Sequence, residues 1–197
     1  DALADPKVQT IEIDLESYLR TQQLVGYHCT REPSPGYFKQ QGLRALSLID
    51  HHAWFWATHG HHFTQGERER IETAWRKYFV GQQSRARQGT LWFCLTSDTV
   101  RQGTGPLFKY SGGEAVHKPL RDEPGILAKL QAIGRPVVVE AAVAGRDIGE
   151  HQHLALPLIS AFHRTIRDDA GEQPSEGRIY GSVTPDGILD VHPPEVF

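Results

Sequence analysis

The residues best suited to chemistry in this chain are a histidine-centred triplet, an arginine that follows it, and a later tyrosine and glutamate. His28-Cys29-Thr30 closes a short apolar run, and Gly42-Leu43-Arg44 follows about a dozen residues on. A histidine at a strand end can aim a ring nitrogen at a sugar hydroxyl, and the backbone beside it can pair with an amide. The Thr30 hydroxyl can fix the local turn, and the Arg44 fork can face a phosphate bidentately. Further on, a glycine-rich segment places Tyr110 and Glu114 after the apolar run at 90–95. Its glycines let the backbone approach a ligand closely. Tyr27 and Tyr37 compete with Tyr110 as the aromatic, and nothing in the sequence separates the three. Glu140, inside the run PVVVEAAVA, is a rival carboxylate, since burying it unpaired is costly. Each has a plainer reading: His28 as a buried, hydrogen-bonded core histidine, Glu114 as a solvated turn residue, and Glu140 as the solvent-facing side of an edge strand.

In type and order these residues resemble the signature of ADP-ribosyltransferase-like proteins. There a His-x-Thr triplet ends the first core strand, a Gly-Leu pair follows a short helix, and a histidine, an aromatic and a glutamate come from separate core elements. The resemblance spans residues 24 to 115 loosely, in motif order. It implies an α+β fold with split mixed or antiparallel sheets and helices around a central cleft, forming one catalytic domain over residues 1–197. It implies NAD as substrate, held by His28, Cys29, Thr30, Gly42, Leu43 and Arg44. Tyr110 would pack on nicotinamide, and Glu114 would stabilise an oxocarbenium-like transition state. The activity implied is mono-ADP-ribosyl transfer to a protein or nucleic acid, in a toxin or phage-defence setting with an antitoxin or inhibitor protein as partner. An RNA 2′-phosphotransferase-like reaction and an NAD glycohydrolase share this nucleotide corner. A non-catalytic module that binds a nucleotide or nucleic acid is the alternative from another class.

Two further clusters carry weaker signals. His51, His52, His59, His61 and His62 crowd one stretch, with His151 and His153 later, but the stretch lacks a His-x-x-x-His pair, so no metal site is expected. Arg68, Arg70, Arg76, Lys77, Arg85, Arg87 and Arg101 could guide nucleic acid, yet Glu67, Glu69 and Glu72 interleave with them as on a solvated helix face. No phosphate-cradling P-loop and no nucleophile-elbow motif is present.

The elements that must position these residues follow from pattern. Residues 8–14 alternate as a half-buried strand does, with a short helix after them. Residues 24–29 read as a buried strand, and YFKQQ as a short helix ended by Gly42. A helix is expected over 46–62, and another over 66–82 capped by Thr64. Strands are expected at 90–95 and 136–144, and a helix at 124–133. Residues 151–167 fit a strand or a helix. Residues 178–191 read as a hairpin turning at Pro185-Asp186-Gly187. Strands do not alternate regularly with helices, which points to α+β.

With 197 residues, 39% of them hydrophobic, the chain can fill one sizeable core. A net charge of −3 exerts no bulk pull on nucleic acid or anionic membrane. Cys29 and Cys94 make no disulfide scaffold and read as reduced, buried thiols. No apolar run approaches the roughly 20 residues of a membrane span, and no secretory pattern opens the chain, so a cytoplasmic protein is expected. Asp1 is expected not to be the native start, because methionine is absent, and an upstream leader or domain remains open.

Overall fold

The computed structural model describes residues 6–85, 88–103, 105–167, 169, 171 and 175–197. In chain order these form α1 (Pro6–Thr21), β1 (Gln23–Glu32), α2 (Tyr37–Gln41), α3 (Leu48–His59), α4 (Gln65–Tyr78), α5 (Gln82–Arg85), β2 (Leu91–Cys94), α6 (Ser97–Gly103), α7 (Gly105–Lys109), α8 (Glu114–His117), α9 (Pro124–Ala132), β3 (Arg135–Ala144), α10 (Ala155–Ile166), β4 (Glu176–Ile179) and β5 (Ile188–His192). The fold is α+β, as expected. The strands form one antiparallel sheet, in the order β4-β2-β1-β3-β5, and not the split sheets that the resemblance implied.

β1 and β3 pair along their whole length, from Gln23 opposite Ala144 to Glu32 opposite Arg135. The β-branched run of β3 supplies both faces of this central pair. Val137, Val139, Ala141 and Val143 pack with Leu91 and Phe93 under α1, α2 and α10. On the opposite face Val138 packs with Cys29, Cys94, Val100 and Leu107. A third cluster lies among α3, α4, α8 and α9, around the fully buried Phe55, Ile71, Val116 and Leu130. Helix α4 starts where expected: the Thr64 side chain accepts from the Glu67 N–H, and the Glu67 carboxylate accepts from the Thr64 N–H. Such a reciprocal cap satisfies two otherwise orphaned donors.

Two local expectations fail, each for a physical reason, and one open reading is settled. Residues 8–14 are helical, within α1. Their alternation leads into a second spacing: Leu15 and Leu19, four apart, turn one helical face toward the core, while Ile11 and Ile13 stay exposed. Residues 151–167 resolve as helix α10. The expected hairpin at 178–191 does not form, because β4 and β5 lie at opposite edges of the sheet. Between them Val183 exchanges both backbone hydrogen bonds with Leu43, at 2.8 Å each, and this tether carries the chain across. Pro185-Asp186-Gly187 forms a single 3-10 turn leading into β5.

Candidate functional site

A cavity of about 900 Å³ lies where β1 runs beyond its pairing with β2, and residues of both sheet faces line it. His28 stands opposite Val139, so its ring lies on the face that holds Phe93, 5.7 Å away between ring centroids. Its Nδ1 is 2.8 Å from the Trp92 carbonyl oxygen. A carbonyl only accepts, so Nδ1 carries the proton and Nε2 is left with a lone pair. Burial holds the His28 pKa below its ordinary value, which keeps the ring neutral near pH 7. Nε2 has no hydrogen-bond partner among the described residues. The ring is therefore a fixed hydrogen-bond acceptor on the cavity wall.

Thr30 lies two residues on, on the same face, and Cys29 points to the other. The hydrogen bond with the Cys29 thiol, and burial, push Cys94 well above the ordinary thiol range. A thiol so raised stays protonated, so Cys94 is not a nucleophile.

The second segment reaches the same cavity through backbone geometry. Gly42 ends α2 at φ 69°, and a Cβ there would sit 2.1 Å from the Val183 carbonyl oxygen. Glycine is therefore required for the chain to turn against Val183. The Leu43–Val183 exchange then fixes Arg44 on the cavity wall. No acid pairs with Arg44 among the described residues.

The later pair divides. Glu114 opens α8 and lines the cavity, with Lys118 Nζ 3.1 Å from its carboxylate. Tyr110 does not line it. Its ring packs with the helical cluster, 4.9 Å from the His117 ring, with Lys109 Nζ over it at 5.3 Å. Both competing tyrosines do line the cavity: Tyr37, whose hydroxyl accepts from Trp54 Nε1 at 2.9 Å, and Tyr27, edge-on to Phe197. Glu140 is outside the lining. Its strand β3 is interior rather than an edge, and its carboxylate meets His192 Nε2 at 3.0 Å.

Two lining residues escaped the sequence reading. Trp92 is 47% exposed in a strand whose other members are buried. Alternation in LWFC was the available signal, since it sets Trp92 on the face opposite Leu91 and Phe93. Glu176 begins β4 opposite Cys94. It is exposed, lines the cavity, and has no cationic partner among the described residues. Only the placement of β4 beside β2 brings it there.

The histidine-rich helix α3 lines the cavity through His51 and Trp54 and also braces the turn beside it. His51 and His52 donate from Nε2 to the carbonyls of Gly112 and Ala115, at 2.9 and 3.0 Å, and so grip the turn that presents Glu114. No group of three or more His, Cys, Asp or Glu side chains converges to hold a metal among the described residues. The basic series disperses to local partners: Arg68 to the Gly60 carbonyl, Arg70 to Glu123, Arg101 to Asp98. Arg87 lies outside the described residues.

Comparison with known proteins gives no relative: no family model, curated protein or solved structure matches this chain.

Proposed function

We propose that this chain is an NAD-dependent mono-ADP-ribosyltransferase that modifies a macromolecule. The observation that carries the reading is that His28, Trp92 and Glu176 sit on three neighbouring strands, β1, β2 and β4, around one cavity of nucleotide-binding size. His28 Nε2 accepts from a ribose hydroxyl, and Arg44 faces the pyrophosphate. The Trp92 indole offers a flat face to the nicotinamide ring. In the reaction the bond between the nicotinamide nitrogen and the ribose anomeric carbon breaks, and its electron pair leaves with nicotinamide. The acceptor's lone pair then bonds that carbon, and the acceptor's proton passes to water.

Positive charge develops on the ribose as the bond breaks, and a carboxylate fixed nearby stabilises it. Glu176 takes this role in preference to Glu114. Lys118 offsets the charge of Glu114, while Glu176 faces the cavity with no such cation among the described residues. Tyr110 is left with a packing role only.

The test is to incubate the protein with NAD labelled in the adenylate portion, together with separate protein, RNA and DNA pools. The reading predicts nicotinamide release and label retained by one pool. Absence of nicotinamide release in every mixture would overturn it.

A further inference from the structure

Beside the cavity, on the edge strand β4, the structure builds a surface of which the NAD chemistry above uses Trp92 alone. Arg178 stands opposite Trp92 across the β2–β4 pair. Its guanidinium carbon lies 5.5 Å from the Trp92 ring centroid and 5.0 Å from that of Tyr180. The cation is thus held between two aromatic rings, one of them on the cavity wall. Tyr180 is 64% exposed and Trp92 47%. Arg178 Nε is shut off from solvent with no hydrogen-bond partner, and no carboxylate pairs with the group among the described residues.

The backbone of this edge is already occupied. The Gly149 N–H donates to the Arg178 carbonyl at 2.8 Å, the Arg178 N–H donates to Gln152 Oε1 at 2.6 Å, and Ile148 bridges Ile179. An extended peptide therefore finds no free backbone ladder to join. What remains open is the face: aromatic planes with a cation between them. Flat bases joined by anionic phosphates fit such a face, because stacking on aromatic rings tolerates any base and an arginine fork engages phosphate.

We propose that Trp92, Arg178 and Tyr180 form the docking platform for a single-stranded nucleic acid, which is the acceptor of the transfer reaction. This rests on the NAD reading for the acceptor role, and on the platform alone for binding. On the protein as it stands, binding of fluorescently labelled 12-nucleotide single-stranded DNA and RNA is measured by anisotropy at low salt, with the matching duplex alongside. Single strands are expected to bind more tightly than duplex. Tyr180→Ala is expected to weaken that binding about tenfold, the scale of one lost base–aromatic stack. The exposed Tyr180 can be removed without disturbing the core, so its nicotinamide release from NAD alone should stay unchanged. Arg178→Gln is expected to weaken binding and flatten its salt dependence. Equal binding of duplex and single strand, or binding indifferent to Tyr180→Ala, overturns the platform. Platform-dependent binding without nicotinamide release overturns the NAD reading and the acceptor role with it. Nicotinamide release with label passing to protein and not to the bound strand overturns the acceptor role alone.

Discussion

Buried and half-buried histidines occur in two regions of this molecule, the helical layer and the sheet. In the helical layer His52 lies flat on Trp75, with ring centroids 3.7 Å apart, and donates to Ala115. His51 donates to Gly112, and His59 is enclosed by Trp54 and Phe55. His51 and His52 each spend Nε2 on a carbonyl of the helical layer. On the sheet, His28 spends one nitrogen on Trp92 and keeps the other for the cavity. The carboxylates differ: Glu114 is offset by Lys118, while no cation pairs with Glu176 among the described residues. The lesson is that residue type does not mark a site; an unspent hydrogen-bonding group or charge beside a cavity does.

The sharpest contrast comes from the helical core. Phe55→Ala removes a fully buried ring and should cost about 3–5 kcal/mol of stability. At roughly 2–4 °C per kcal/mol for a domain of this size, thermal unfolding should shift down by about 10 °C. A shift under ~2 °C would show that this cluster does not carry the layer. On the sheet side, Glu176→Gln should cut nicotinamide release from NAD by about 10²–10³-fold with little change in melting temperature. Glu114→Gln should cost less than Glu176→Gln. A reversal of that order would return the carboxylate role to Glu114.

The histidines allow a direct test of the same contrast. His52→Ala should destabilise by about 1–3 kcal/mol, because the Ala115 carbonyl loses its donor, and nicotinamide release at low temperature should be kept. The opposite pattern, lost activity at full stability, would place a chemical role in the helical layer.

The smallest effect concerns pH. Burial and the neighbouring histidines His62 and His61 lower the pKa of His59 from 6.5 to about 4. Between these values the unfolded chain binds the proton and the folded one does not, so stability rises with pH there. The contribution is complete above about 6.5 and is lost as pH falls toward 4. His51 and His52, also lowered mainly by burial, act in the same direction. Melting temperature should drop over this window, and His59→Phe should flatten the drop. An unchanged profile in that variant would assign the acid sensitivity elsewhere.

Much of the local structure was legible because it rests on short-range physics. The β-branched run at 136–144 lies within a strand, Thr64 caps α4, and Gly42 ends α2. His28, Thr30, Gly42 and Arg44, grouped by one strand and the turn that follows it, line the same cavity. Tyr110 misled because an aromatic after a glycine-rich segment reads alike whether it faces a cavity or a core. The alternation that marks β4 and β5 likewise carried no information about which strands they join.

The sequence by itself determined the α+β character and most of the helices and strands. All of these depend on residues close in the chain, where spacing, caps and side-chain type act directly. Tertiary structure alone decided that β4 leaves its expected hairpin partner for β2, and so that Glu176 and Arg178 reach Trp92. Strand neighbours and hydrogen-bond partners are chosen by burial of the whole sheet between its helices, a long-range balance that no short stretch of sequence contains.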